Sequence, residues 1–391
     1  MTCIVLLVLA LMLTAPAAQA QLGGLGVPSV PDVGGVAGDV LDRTTNTANQ
    51  TLNDVQALTQ ARANQARELL RRHRRELEAD PNGEPIVRSQ ILALAPSPAA
   101  LERARGEGFE VVRSDDLDGG ALVVLRAPRG LSTRRALQRL RTADPDGVYD
   151  FDHLHLESGL AATASALAQQ SAAGGPRIGL IDGGVTSSAV VAQRAFSSSA
   201  PVASTHGAAV ASLLQRAAPG ARILVADIYG GAPTGGSSAA LARALSWLAS
   251  ENVPVINVSL VGPRNQIVEA MVARVLQRGI VIVAAVGNDG PAARPLYPSA
   301  YEGVVGVTAV DGRGRILPEA GRGPQVDFAA LGIHTNPRVR GTSFASPIVA
   351  AMIAESSFQR VRASAQDLGP RGRDDIYGEG LVGGNLLAAS R

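Results

Sequence analysis

Four short stretches of this chain hold residues whose types and surroundings could do chemistry. His206 lies in Ser204-Thr-His-Gly-Ala-Ala-Val210, where a serine precedes a run of small residues that opens a helix. Asp182 ends an aliphatic run in Arg177-Ile-Gly-Leu-Ile-Asp-Gly-Gly-Val185. Asn288 closes another in Val283-Ala-Ala-Val-Gly-Asn-Asp-Gly290, and Ser343 stands in Gly341-Thr-Ser-Phe-Ala-Ser-Pro347 at the head of an apolar helix. A serine hydroxyl is inert at neutral pH unless a base takes its proton as it attacks. An imidazole serves best when a carboxylate fixes its tautomer, and a strand-end Asp182 can do so. In the first turn of a helix, Ser343 gains free backbone N–H groups and the positive end of the helix dipole, both favourable to an oxyanion. The Asn288 amide can aim at the same oxyanion, beside the Ser343 N–H. Gly341 permits close approach of a substrate backbone, and Pro347 falls early in the helix, where its missing donor costs little. The chemistry these four positions suit is acyl transfer through a nucleophilic serine.

Other chemistries lack their residues. The chain contains no lysine, which excludes Ser–Lys dyads and Schiff bases. Its single cysteine, Cys3, falls in an N-terminal apolar stretch, so neither a thiol nucleophile nor a disulfide is expected in the body of the protein. The turn Asp182-Gly183-Gly184 lacks the G-x-G-x-x-G pattern of a dinucleotide site. His153-x-His155 could ligate a metal, but no Cys or Glu cluster completes a site, and a solvated strand end is the expected reading. Neither a metal nor a cofactor is expected. The formal net charge of +2 gives no argument for nucleic acid as a partner. Arg71 to Arg75, followed by Glu76 and Glu78, reads as a solvated helix face, and Trp247 reads as core.

Positioning these residues requires a sheet. From Pro176 onward, short runs of Val, Ile and Ala alternate with helical stretches: Ile178–Ile181, Ile223–Ile228, Val255–Leu260, Val281–Val286, Val304–Val310 and Val326–Ala329. Such runs indicate strands buried on both faces, hence an α/β three-layer sandwich with a mostly parallel sheet. Ligands in such sheets sit at the carboxyl ends of the strands, where Asp182 and Asn288 fall. Residues 86–157 carry a β-α-β-β-α-β rhythm, a small ferredoxin-like α+β unit. Residues 1–20 read as a signal peptide, with Ile4 to Leu13 apolar and Ala18-Gln19-Ala20 as the cleavage site. A secreted or periplasmic protein with no membrane attachment after cleavage is expected. Residues 21–85 combine a low-complexity segment with an amphipathic helix, read from about Thr45 to Ala79, and residues 158–175 form a small-residue linker.

Taken together, the Asp, His, Asn and Ser motifs resemble the subtilase family of serine peptidases over residues 176–391, and Gly-Thr-Ser-x-Ala-Ser-Pro is the most specific of them. The chain order Asp, His, Ser is the one subtilisins use. The resemblance implies a catalytic triad of Asp182, His206 and Ser343 and an oxyanion hole assisted by Asn288. It implies a substrate cleft bordered by Ser259, Leu260 and Val261 on one side and Thr234 and Gly235 on the other. Val261 stands where the family usually has glycine, and Pro233 falls where backbone is normally open. Proteins or peptides are the implied substrates. The 86–157 unit resembles the family's inhibitory propeptide, implying that the chain inhibits itself and then cuts itself between about His155 and Ser165.

Overall fold

The computed structural model describes residues 62–117, 119–163 and 174–384. The expected signal peptide, the low-complexity stretch and most of the linker lie outside the described residues.

Seven parallel strands form the central sheet, in the spatial order Phe328–Leu331, Val305–Val310, Val281–Ala285, Val255–Val258, Arg177–Asp182, Arg222–Asp227, Val190–Ala195. Alternate residues serve opposite faces, as the two-residue strand period requires. Ile223 and Val225 join the core under helices Thr205–Ala217 and Ser346–Glu355, while Leu224 and Ala226 join the core under helices Ser238–Ser250 and Gln266–Gln277. Both faces are dry, which explains the unbroken aliphatic runs. The strand Val190–Ala195 was not expected from the sequence. It is the outermost strand, half-exposed, and it carries Gln193 and Arg194, so its pattern is not aliphatic.

The 86–157 unit is a β-α-β-β-α-β fold. Pro85–Leu94 pairs with Gly120–Arg126 on one side and Val148–His153 on the other, and Glu110–Leu117 lies beyond Gly120–Arg126. Ser97 and Ser132 cap the two helices Pro98–Gly106 and Thr133–Ala143. The helix expected to reach Ala79 stops at residue 72, and Leu77–Ala79 is instead a strand paired with Pro85–Val87. The Asp80 carboxylate makes that hairpin, accepting the N–H groups of Asn82 and Glu84. Arg71 and Arg72 are exposed and pair with Glu68. Trp247 packs half-buried against the core.

This smaller unit sits on the peptidase-like body. Leu92, Leu94, Leu122 and Val124 share one buried cluster with helices Ser238–Ser250 and Gln266–Gln277. Two carboxylates of its last strand cap those helices: Asp152 accepts from Ala239 N–H at 2.9 Å and Asp150 from Gln266 N–H at 2.8 Å. Each places a carboxylate on a positive helix end. No helix among the described residues is long and apolar enough to cross a membrane.

Candidate active site

Asp182 is the last residue of the central strand, and His206 is the second residue of helix Thr205–Ala217, whose cap Ser204 accepts Gly207 N–H. His206 Nδ1 lies 3.0 and 2.9 Å from the two Asp182 carboxylate oxygens. Gly207 allows this approach, because a Cβ there would stand 2.6 Å from the Gly183 carbonyl oxygen and 3.1 Å from Asp182 Oδ1. Burial works against the His206 imidazolium. The Asp182 carboxylate, and beyond it that of Glu157, outweigh burial and raise its pKa above the ordinary histidine value. His206 Nδ1 therefore carries a proton toward Asp182, and Nε2 faces the site with no hydrogen-bond partner among the described residues.

Ser343 lies in a single turn of 3-10 helix, Thr342–Phe344, just before helix Ser346–Glu355. Gly341 enters that turn at φ +134°, a conformation glycine adopts freely. The Ser343 hydroxyl donates to the Ser259 carbonyl oxygen at 2.9 Å rather than to His206. The Phe344 ring, which follows it, tilts against His206 with 5.2 Å between centroids. Asn288 Oδ1 accepts Thr342 N–H at 3.0 Å, tying the Asn288 loop to the Ser343 turn.

The chain's own residues 154–163 run through this site. Leu156–Glu157 pairs antiparallel with Leu260–Val261. On the opposite side His155 N–H donates to the Gly236 carbonyl at 2.7 Å, and Leu154 bridges Ser237. The Ser158 carbonyl oxygen accepts Ser343 N–H at 3.1 Å, and Asn288 Nδ2 donates to the Ser158 hydroxyl at 2.8 Å. Past Gly159, the strand Leu160–Thr163 pairs with Arg338–Arg340. The stretch read from the sequence as a linker beginning at residue 158 is therefore held at its start, because edge pairing continues over Leu160–Thr163.

Two further expectations change. Thr234 and Gly235 do not form the second edge; they lie in a tight turn in which Gly235 N–H bonds the Ala232 carbonyl, and Gly236 and Ser237 present the edge instead. His153 and His155 are not solvated but buried, because the last strand of the small unit lies against the larger one. His153 bridges Asp80 and Asn265. His155 Nδ1 meets the Gly236 carbonyl, its ring lies against Gly262, and burial pushes its pKa down to about 3, so it stays neutral. The phenol of Tyr229 donates to the His155 carbonyl.

Glu157, Ser158 and Gly159 are the site residues that sequence reasoning placed nearby without assigning. Their signal was a strand ending in small residues. Glu157 is exposed, accepts from Ser204 Oγ at 3.3 Å, and brings its carboxylate within 4.8 Å of ligand-type atoms of Asp182 and His206. That trio is the acid–histidine cluster of metal-binding dimensions among the described residues. Both Asp182 oxygens in it already face His206 Nδ1.

This geometry has relatives. Residues 175–364 match the subtilase family, peptidase S8. Subtilisin Savinase from Lederbergia lenta is 30% identical over 194 residues, 44% of this chain and 70% of that protein. Minor extracellular protease Epr from Bacillus subtilis is 30% identical over 167 residues, 38% of this chain but 26% of Epr, so the match spans about a quarter of that relative. Among solved structures, fervidolysin from Fervidobacterium pennivorans, a keratinolytic enzyme related to subtilisin, superposes with a TM-score of 0.65 at 16% identity, covering 81% of this chain and 62% of that one. The chain belongs to the subtilase family of serine peptidases, and its fold is subtilisin-like.

Proposed function

We propose that this protein is a secreted serine endopeptidase made as a self-processing precursor, and that its first substrate is its own Ser158–Gly159 bond. The observation that carries the reading is the Ser158 carbonyl oxygen, which accepts the Ser343 N–H while β-pairing holds the chain on both sides of it. A substrate bound for acyl transfer needs its carbonyl in that position. Secretion rests on the expected signal peptide and on the kinship with an extracellular protease.

In this mechanism the Ser343 hydroxyl turns from Ser259 toward His206 Nε2, the unpartnered nitrogen, and attacks the Ser158 carbonyl carbon. Its proton passes to Nε2. The Ser343 N–H, with the Asn288 amide beside it, takes the charge that develops on the carbonyl oxygen. Asp182 holds the ring and stabilises the imidazolium. Collapse breaks the C–N bond, and His206 gives its proton to the Gly159 nitrogen, leaving an ester between Ser343 and Ser158. Water, deprotonated by His206, hydrolyses that ester. The same residues then act on extended peptides that replace 154–158 between Leu260–Val261 and Gly236–Ser237.

N-terminal sequencing of wild type beside Ser343→Ala tests both halves. Wild type should yield a fragment beginning at Gly159, and Ser343→Ala one uncut chain with no activity on casein. For subtilisin itself, loss of the nucleophile costs about 10⁶-fold. An active wild type that remains a single chain would refute self-processing. Turnover by Ser343→Ala, or failure of a phosphonyl fluoride to label Ser343, would refute the mechanism.

A further inference from the structure

Away from the cleft, the small unit and the peptidase-like body face each other across a cavity of about 770 Å³. One wall is acidic and belongs to the small unit: Asp115 and Asp116, near the end of strand Glu110–Leu117. The other wall belongs to the body and carries Arg194, Arg243, Phe196 and Trp247. Phe196 is buried and tilts against Trp247, with 5.9 Å between centroids. The Cζ atoms of Arg194 and Arg243 stand 5.4 and 5.6 Å from the centre of the Phe196 ring. A guanidinium is attracted to the negative face of an aromatic ring, so both cations are held in place before any partner arrives. Arg243 is fixed further by donating from Nη2 to the Phe196 carbonyl oxygen. It also reaches across the cavity, with Nε 3.8 Å from Asp115 Oδ2. Arg194 is exposed and has no ion-pair partner among the described residues.

Asp115 and Asp116 precede Ser158, so on the reading proposed above they leave with the released fragment, together with Arg113, which holds Asp115 at 2.8 Å. Arg194 and Arg243 stay on the body and lose the acidic wall. Glu251, which follows helix Ser238–Ser250, does not replace it, because Arg177 and Trp247 Nε1 already engage its carboxylate. The patch also lies within reach of a chain seated in the cleft. Ser237 bridges Leu154, the fifth residue before the Ser158–Gly159 bond, and the same Ser237 caps helix Ser238–Ser250. Arg243 is six residues along from that cap, a distance of about 9 Å at the helical rise. An extended chain spans this in about three residues.

We propose that the processed enzyme uses Arg194 and Arg243 as a second binding surface, outside the cleft, for an acidic extended segment of a protein substrate upstream of the bond it cuts. Asp115 and Asp116 cover that surface in the precursor. The inference rests on the endopeptidase reading and deepens it by naming the substrate class.

The test uses enzyme matured from the full chain and two peptides that share the chain's own Leu-His-Leu-Glu-Ser-Gly-Leu-Ala. Ahead of it and a short Gly/Ser spacer, one peptide carries Ser-Asp-Asp-Leu and the other Ser-Asn-Asn-Leu. At low salt the Asp peptide should show a KM lower by roughly 3- to 10-fold at equal kcat, the range of two exposed Arg–carboxylate pairs. High salt should erase most of that advantage. Arg194→Gln should lose part of it, and adding Arg243→Gln should bring the KM ratio toward one. Equal KM values for the two peptides with wild type at low salt would overturn the inference, whether or not the variants fold. So would an advantage that survives whole in the folded double variant. Polyglutamate should compete with the Asp peptide more strongly than with the Asn peptide. A duplex oligonucleotide that does so at lower concentration would make nucleic acid the partner and overturn the assignment to acidic protein segments. Wild type that cuts neither peptide and is not labelled at Ser343 would refute the endopeptidase reading, and this inference with it.

Discussion

Replacing Glu157 by Gln should move the pH dependence of self-processing, and the direction follows from the charges around His206. The imidazole must be neutral to accept the Ser343 proton, so a raised pKa withholds the base until the pH is higher. Asp182 raises it permanently, but Glu157 raises it only while residues 154–158 occupy the cleft. Unit charges 4.8 Å apart interact by about 3.5 kcal/mol at an effective dielectric of 20. Glu157 is exposed, and water screens most of that, leaving about 1 kcal/mol. At 1.36 kcal/mol per pH unit, this corresponds to about 0.7 unit. Glutamine keeps the acceptor for Ser204 and removes the charge. The assay refolds denatured precursor across a pH series and follows the fragment beginning at Gly159 by mass spectrometry. In wild type the rate should rise with pH through the raised His206 pKa. In Glu157→Gln the same rise should come roughly 0.5–1 unit lower, making the variant faster on the acid side and equal on the alkaline plateau. A rise that stays in place, or moves upward, would refute the electrostatic account.

Three further outcomes are expected. Gly159→Ala would bring a Cβ to 2.7 Å from the Phe344 ring and 3.2 Å from the Arg340 carbonyl, at φ +145°, so processing should slow by roughly 100-fold; an unchanged rate by the same assay would count against Ser158–Gly159 as the cut. Helix Thr205–Ala217 runs without the acidic insertion that would build a calcium loop there, so EDTA should leave the melting temperature and activity unchanged; a large drop by calorimetry would contradict this. Phe344, buried beside the nucleophile, has no sulfur, so millimolar peroxide should spare most activity. Rapid loss tracking modification near Ser343 would refute that last expectation.

Strands dry on both faces wrote themselves into the sequence as aliphatic runs, and their carboxyl ends located Asp182 and Asn288. The edge strand Val190–Ala195 left no such trace, because one side meets water and its pattern is mixed. Leu77–Ala79 was lost for a similar reason: three residues following a helical stripe have too little period to declare a strand. The edge that pairs with residues 154–155 lies at Gly236–Ser237 rather than Thr234–Gly235, because two Gly-Gly pairs, 230–231 and 235–236, allow many turns and local sequence does not choose among them. His153 and His155 looked solvated because their burial depends on contact between two units far apart in the chain. The Arg243–Asp115 approach was invisible for the same reason, since it joins residues more than a hundred positions apart.

The pairing of Leu160–Thr163 with Arg338–Arg340 bears on whether the self-cut can be kept. Once the ester forms, this pairing pins the new Gly159 amine beside it. Groups so oriented react as though present at about 10⁵–10⁸ M, far above the concentration of liquid water. On the self-processing proposed above, resealing would outrun hydrolysis for as long as the strand stays in register, and the precursor would cycle between cut and intact chains. The cut becomes permanent when those four residues peel away. On that reading maturation is a ratchet whose pawl is a short β-strand: the pH-dependent attack sets how fast the ester forms, and release of the strand decides how much of the cut is kept.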